Sequence, residues 1–588
     1  MNSLMNTGMH QTDRQICLAV LIGALSVPLA GSAAVGASDV LPGWQQREQH
    51  RIEVLTRISP GVVCVMPPDA QGGGSGVLIS ADGYAVTNYH VIADGGSFFK
   101  CGLNDGQVYD AVIVGIDPTG DVAMIRLLGR SDFPFATAGN SDEVQVGDEV
   151  MALGNPFLLA DDFSPTVTFG IASGIHRYQY PANTYLEYTD CIQIDASINP
   201  GNSGGPLFDI QGRWIGINGR ASFEQRGRVN VGAAYAISVR QVQLFIDHLK
   251  SGRIVDHGTS EFAVETDISG RVLVSDVIEI SEAWRRGLRP GDELVSFAGR
   301  ALTSANDFKN ILGIFPAENR VPLTFRNRDG LQKTSLRLRP LHEFQQAPPL
   351  PQKNAKPNPQ RPKAPDEPDA ARKTEPMQPP AEFAHLFEAR DGFANYAFNR
   401  QHQTRLLAPI QQELESCPHL SRTWQLSISA DGSNELMPLV VAEQGAGLTQ
   451  DKLPWHQDAD NLTPDAEPHD FPGLLTVAVQ WHRLFRDPVG SWSEIFYAGA
   501  EQHYETGQHV DVLQTMEGTV SCRWLFAQGS PLPYGVDVNS GAGQDESRVL
   551  FEGWNMHGEI PAPTRIGVIV CQTGEIAWLH VHSAEIRK

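Results

Sequence analysis

The chain has 588 residues, too many for one hydrophobic core, so three or four domains are expected. Lys+Arg 45 against Asp+Glu 68 gives a net charge of −23 without a long block of one sign, which excludes a nucleic-acid binder working through a basic face. One apolar run approaches membrane length, and it is short and solitary, which excludes a polytopic membrane protein.

That run comes first. Arg14 precedes the apolar stretch from Ile16 to Ala30, and small residues follow it (GSAAVGAS). A basic residue, an apolar stretch and small residues make a secretory signal over residues 1–37, with cuts acceptable after Ala33 or Ala37. The mature protein is then expected in the periplasm or secreted, an uncleaved membrane anchor being the alternative. Cys17 lies inside this run; Cys64, Cys101, Cys191, Cys417, Cys522 and Cys571 remain. They form no CxxC and no disulfide scaffold, although an oxidising compartment would allow Cys64 and Cys101 to pair.

Gln45 to Ile58 carries helix formers and stops at Pro60. From about 60 to 245 the chain reads as short strands divided by Gly, Asp and Asn: GVVCVM, GVLIS, YAVTNYHVI, QVYDAVIVGID, VAMIRLL, EVMALG and RWIGING. Many short strands without alternating long helices predict a barrel or sandwich. A smaller unit over 259–340 holds a few strands and a helical stretch around Ser304 to Leu312. Between Pro348 and Pro380, 11 of 33 residues are proline, and no aromatic residue lies between Phe344 and Phe383. Such a stretch cannot build a core, so 343–385 reads as a stiff linker. After it come about 200 residues with seven of the ten tryptophans.

The chemistry concentrates in Asn199-Pro-Gly-Asn-Ser-Gly-Gly-Pro206. A serine hydroxyl needs a base, and its attack on a carbonyl creates an oxyanion that needs donors. Glycines at 201 and 204 permit a sharp turn that aims the amides of Gly201 and Ser203 at one oxygen. GNSGG also fits the nucleophile elbow of α/β-hydrolases, but those run Ser, Asp, His along alternating strands and helices. Here the region is strand-rich and a histidine precedes the serine, the order of chymotrypsin-type barrels. The histidine is His90, at the end of GYAVTNYHVI. Asp121 opens the apolar run VAMIRL, where its carboxylate can hold the imidazole; Asp117 reads better as a turn residue in Asp-Pro-Thr-Gly.

GGGSGVLISADGYAVTNYHVI, DPTGDVAMIRL, ALGNPF, TVTFGIASGI and IDASINPGNSGGPLFD resemble the HtrA (DegP-type) serine proteases over about residues 45–340. The resemblance implies a mainly β chain: a chymotrypsin-like double β-barrel over 38–250, a PDZ domain over 259–340, the linker, and a β-rich C-terminal domain over 386–588. It implies His90 as general base, Asp121 as its orienting partner, Ser203 as nucleophile, and the Gly201 and Ser203 amides as oxyanion hole. Val122, Met124 and Ser197 depart from the usual family residues. By the resemblance Ser197, six residues before the nucleophile, lies at the base of the substrate pocket, with Ile217 and Asn218 in the wall-forming strand. No buried carboxylate awaits Lys or Arg there, so cleavage after small or medium apolar residues is expected. The segments Leu158–Thr168 and Ser197–Gly201 are the expected switching loops.

GRVLVSDV and AWRRGLRPGDELVSFAGRALTS resemble a PDZ module, with Gly287, Pro290, Gly291 and Asp292 in its turn. Such a groove adds a peptide as an extra strand and captures its terminal carboxylate; the matching loop is Phe262-Ala263-Val264-Glu265, with alanine where the family usually has glycine. The C-terminal 200 residues match no second PDZ. RDGFANYAFN, TWQLSISADG, LLTVAVQW, TVSCRWLFAQ and RIGVIVCQTGEIAWLHVH read as strands, the tryptophans as core, and His580, His582, His503 and His509 as surface residues rather than metal ligands. The expected function is an extracytoplasmic serine endopeptidase acting on unfolded or damaged proteins without metal or cofactor. Unfolded chains and C-terminal peptides are the expected partners, nucleic acid is not, and a homo-oligomer, a trimer or larger, is implied by resemblance. A client-specific regulatory protease and a chaperone-like binder of unfolded chains are the alternatives.

Overall fold

The computed structural model describes residues 42–66, 73–93, 95–155, 162–179, 186–199, 201–223, 230–342, 380–541 and 543–587. The expected signal and residues 343–379 of the expected linker lie outside these described residues. The predicted helix runs over Pro42–Ile58. From Val54 onward the chain packs as one compact unit.

The short apolar runs close into two six-stranded barrels. The first holds Val62–Met66, Gly74–Leu78, Tyr84–Thr87, Phe98–Gly102, Val108–Asp117 and Val122–Leu127. The second holds Glu149–Gly154, Thr166–Gln179, Tyr188–Ile194, Pro206–Asp209, Trp214–Phe223 and Asn230–Ser238. Closure leaves no barrel edge unpaired. The helix Val239–Lys250 follows, capped by Ser238, whose hydroxyl accepts from the Gln241 amide. Its Val242, Phe245 and Leu249 are buried in a core shared with Met124 and Trp214.

Cys64 and Cys101 are free thiols, a correction to the allowed pairing. In the ladder Cys64 faces Gly102 while Cys101 faces Val65. Neighbouring residues of a strand point to opposite sides, so the two sulfurs lie on opposite sheet faces.

The smaller unit is an antiparallel sheet with its strands ordered Phe262–Thr266, Val272–Val277, Glu293–Phe297, Arg320–Asn327 and Gly330–Arg337, with Arg300–Ala301 paired to the third. The predicted helix covers Ala305–Leu312 and is capped by Ser304. The glycine turn holds: Gly287 and Gly291 have φ of 87° and 91°, and the Asp292 carboxylate accepts from the Arg289 amide.

Beyond residue 379, the chain packs immediately. Phe383, Leu386 and Phe387 lie against the barrel core, and Phe398 is buried within it. The predicted linker boundary at 385 therefore moves back to about 380, because aromatic residues resume there. The C-terminal domain is an eleven-stranded antiparallel sheet running from Leu453–Asp458 at one edge to Glu494–Gln502 at the other. Two segments predicted as strands are helical. RDGFANYAFN leads into the helix Tyr396–Ser416, and LLTVAVQW lies in the helix Leu474–Arg486. A continuous apolar run does not distinguish a buried strand from a helix buried on most sides. Here the Glu467 carboxylate accepts from the amides of Leu475 and Thr476 and so satisfies the start of the helix. Trp424, Trp481 and Trp524 pack in the core, each at most 1% exposed.

Candidate active site

The strand Tyr84–Thr87 stops earlier than the sequence suggests, and His90 stands on the helical turn Tyr89–Ile92. Asn88, still extended, precedes that turn, and its side-chain amide donates to the Asp121 carbonyl at 2.9 Å. The Tyr89 amide donates to that same carbonyl. Asp121 adopts φ 58°, a left-handed conformation that costs a non-glycine residue about 1 kcal/mol or more. The strain is held by the preceding turn, where Asp117 accepts from the Gly120 amide at 2.8 Å. Asp117 is in turn gripped by His257 Nε2 at 2.9 and 3.0 Å.

This turn delivers the Asp121 carboxylate, fully buried, to His90. Oδ2 lies 2.7 Å from His90 Nδ1, and Oδ1 accepts from the His90 amide at 2.9 Å. The imidazole is 33% exposed, so its other nitrogen can be reached from outside. A third donor, the Tyr188 hydroxyl, meets Oδ2. Nothing in the sequence marked Tyr188, which opens an ordinary barrel strand.

Ser203 sits on the turn before the strand Pro206–Asp209. Gly204 has φ 82°, and a Cβ there would lie 2.2 Å from the Ser75 carbonyl oxygen and 2.3 Å from Thr87 Oγ1. Gly201 has φ 104°, and its carbonyl accepts from the Ser75 hydroxyl at 2.7 Å. Among the described residues, neither the Gly201 nor the Ser203 amide is taken up by a backbone carbonyl. The Ser203 carbonyl accepts from the Ser75 amide at 2.8 Å. A Cβ on Gly74 would lie 3.0 Å from that carbonyl oxygen and 2.6 Å from Val91, so the serine turn and the histidine helix meet across Gly74. The Ser203 hydroxyl donates to the Gly219 carbonyl at 3.4 Å, long for an O–H···O bond and easily exchanged.

Ser197 is exposed, and its carbonyl accepts from Thr168 Oγ1. Ile217 and Asn218 are fully buried. The Ile217 side chain lies in the barrel core, and Asn218 Nδ2 donates to the Leu153 and Pro206 carbonyls. These two residues therefore present only their backbone to any pocket beside the strand. Phe262 to Glu265 form an edge strand rather than a loop, with Phe262 buried and Ala263 and Glu265 exposed. Of the expected switching loops, residues 158–161 and 200 lie outside the described residues. His580 and His582 bond Asp431 and Ser429 respectively. His503 is buried, which corrects its surface assignment.

Two barrels with a histidine–aspartate pair and a serine turn define a trypsin-like peptidase domain, and residues 74–217 match the family model of that description. The chain is similar to the probable periplasmic serine endoprotease DegP-like of Chlamydia trachomatis serovar D, at 38% identity over 261 residues, 42% of this chain and 50% of the relative. It is 36% identical over 271 residues to the periplasmic serine endoprotease DegP of Escherichia coli strain K12, 44% of this chain and 55% of that protein. The chain thus spans about half the length of the curated relatives it matches. A solved structure of the HtrA-type protease AlgW with a tripeptide aligns at 29% identity and a TM-score of 0.40, covering 49% of this chain and 96% of that one. Residues 74–217 thus match a trypsin-like peptidase domain, and the chain is similar to DegP-like periplasmic serine endoproteases over about half of their length.

Proposed function

We propose that the protein is an extracytoplasmic serine endopeptidase in which Ser203, His90 and Asp121 form the catalytic triad. The observation that carries this reading is the buried Asp121 carboxylate on His90 Nδ1 at 2.7 Å, with the Ser203 turn across Gly74 from the same helix. His90 Nε2 takes the proton of the Ser203 hydroxyl as Oγ attacks a peptide carbonyl. The tetrahedral oxyanion is held by the Gly201 and Ser203 amides. The intermediate collapses, His90 gives its proton to the leaving amine, and an acyl-enzyme remains. Water, deprotonated by His90, then releases the acid and restores the serine.

The substrates are unfolded or damaged polypeptides cut after small or medium apolar residues, since Ser197 at the pocket base brings no charge. The smaller unit acts as a PDZ module: Phe262–Thr266 is an edge strand beside the helix Ala305–Leu312, an arrangement suited to adding a peptide strand. Val167, Phe169 and Ile171 lie exposed at alternate positions of one strand, which supports a homo-oligomer.

Digestion of a permanently unfolded protein by the mature chain, beside its Ser203→Ala variant, tests the reading. Cleavage by the wild type alone is expected, with apolar residues before the cuts. Equal cleavage by both would remove Ser203 from the role of nucleophile.

A further inference from the structure

The Asp121 carboxylate has one donor that the triad does not account for. Tyr188 is 3% exposed, and its hydroxyl lies 2.5 Å from Asp121 Oδ2, the oxygen that also faces His90 Nδ1. A phenol keeps its proton well above neutral pH, so Tyr188 donates and the carboxylate accepts. With the His90 amide on Oδ1, the carboxylate is held by three donors from two directions. Its plane is thereby fixed, with one lone pair of Oδ2 aimed at the imidazole.

The Tyr188 ring reaches the serine side as well. A Cβ on Gly219 would lie 2.7 Å from Tyr188 Cε1 and 3.0 Å from its hydroxyl oxygen, and the Gly219 carbonyl accepts from Ser203 Oγ. One side chain therefore backs both the group that orients the base and the backbone that receives the nucleophile. The tyrosine is itself pinned from behind. Thr189 packs against Gly313 of the smaller unit, and the Asp190 amide donates to Asn310 Oδ1 at 3.0 Å.

We infer that Tyr188 is a positioning residue: its hydroxyl fixes the Asp121 carboxylate, and through it the His90 imidazole, in the orientation that proton transfer from Ser203 requires. The inference deepens the proposed function and rests on its assignment of His90 as the base. A hydrogen bond to a buried carboxylate is strong, and its loss here acts on the transition state rather than on peptide binding.

The experiment compares the full chain with Tyr188→Phe, Asp121→Asn and the double variant, using a peptide substrate. Tyr188→Phe is expected to lower kcat by roughly tenfold to a hundredfold with KM changed less than about twofold. The acid limb of its kcat/KM profile moves to higher pH, because the phenol no longer shares the carboxylate's charge. In the Asp121→Asn background the same substitution produces little further loss, since its effect runs through Asp121. A wild-type kcat in Tyr188→Phe, or a full additional loss in the double variant, overturns the inference. The proton resonance of His90 Nδ1–H in ¹⁵N-histidine-labelled Ser203→Ala chain supplies a second readout. It shifts on adding Tyr188→Phe if the phenol acts on Asp121, and stays in place if it does not. That readout decides the matter even for a chain that cleaves nothing, so failure of the peptidase reading and failure of the Tyr188 assignment are told apart.

Discussion

Arg337 Nη2 lies 2.5 Å from Asp537 Oδ2, and both side chains are 4% exposed. The pair joins the smaller unit to the C-terminal sheet at the centre of a buried network. Arg337 and Arg320 both meet Glu546, Arg320 also meets Glu282, and Arg548 bridges Asp537 and Glu505. Burial by itself would push the Glu546 carboxyl up, but Arg337 and Arg320 overcome it and hold the group well below its usual range. Asp537 is likewise lowered, by Arg548 and Arg337 against its burial.

Removing one partner leaves the other charges buried and uncompensated. Asp537→Ala is expected to destabilise the chain by roughly 3–5 kcal/mol, measured by urea unfolding at pH 7. Depressed carboxylates contribute stability above their unfolded values near pH 4, and that stability is lost as pH falls through the folded values. The melting temperature should therefore drop steeply below about pH 4 in the wild type and less steeply in Glu546→Gln.

Two histidines set opposite pH dependences nearer neutrality. His248 is buried where the C-terminal domain meets the barrels, with Nδ1 3.0 Å from the Ala498 carbonyl. Burial, aided by Arg253, lowers its pKa to about 4. Its neutral form is built in, so its contribution is whole above about pH 6.5 and lost as pH falls toward 4. His257 is raised: burial opposes the charged form, but Asp117 outweighs it. Its contribution is whole below about pH 6.5 and lost as pH rises through the folded value. Melting curves across pH 4–9 should show His248→Gln flattening the acid side and His257→Gln the alkaline side.

The barrels were legible in the sequence because the strands are short apolar runs divided by Gly, Asp and Asn turn signals, and the GNSGGP and NYHVI strings mark the serine and histidine locally. Tyr188 was not legible, since a tyrosine opening a strand has no local signature and its partner lies 67 residues away. Arg337 was hidden for a similar reason. In TSLRLRP it alternates with apolar residues like a solvent-facing charge, and only the distant Asp537 and Glu546 make burial tolerable. The helix Leu474–Arg486 read as a strand because its valines and leucines form a nearly unbroken run, as burial on most sides demands.

Gly204 offers a sharp test of the serine turn. Its φ of 82° and the 2.2 Å approach of a Cβ to the Ser75 carbonyl leave no room for a side chain. Gly204→Ala should shift the turn and misplace the Gly201 and Ser203 amides proposed as oxyanion donors, lowering kcat/KM on the order of a hundredfold. Labelling of Ser203 by a fluorophosphonate probe should slow in parallel while the melting temperature falls by a few degrees.

Ser197 tests specificity separately from catalysis. It is exposed, so a carboxylate at this position keeps much of its hydration and should not disturb the barrel. If Ser197 forms the pocket base, Ser197→Asp places a negative charge where the side chain before the cut is received. Cleavage should then turn toward Lys and Arg, with their kcat/KM relative to valine or alanine rising at least about tenfold, the equivalent of 1.4 kcal/mol. Mass-spectrometric mapping of the cut sites in one unfolded substrate reads this directly. An unchanged pattern would mean that the pocket is floored by another residue, since Ile217 and Asn218 turn their side chains inward and cannot supply it.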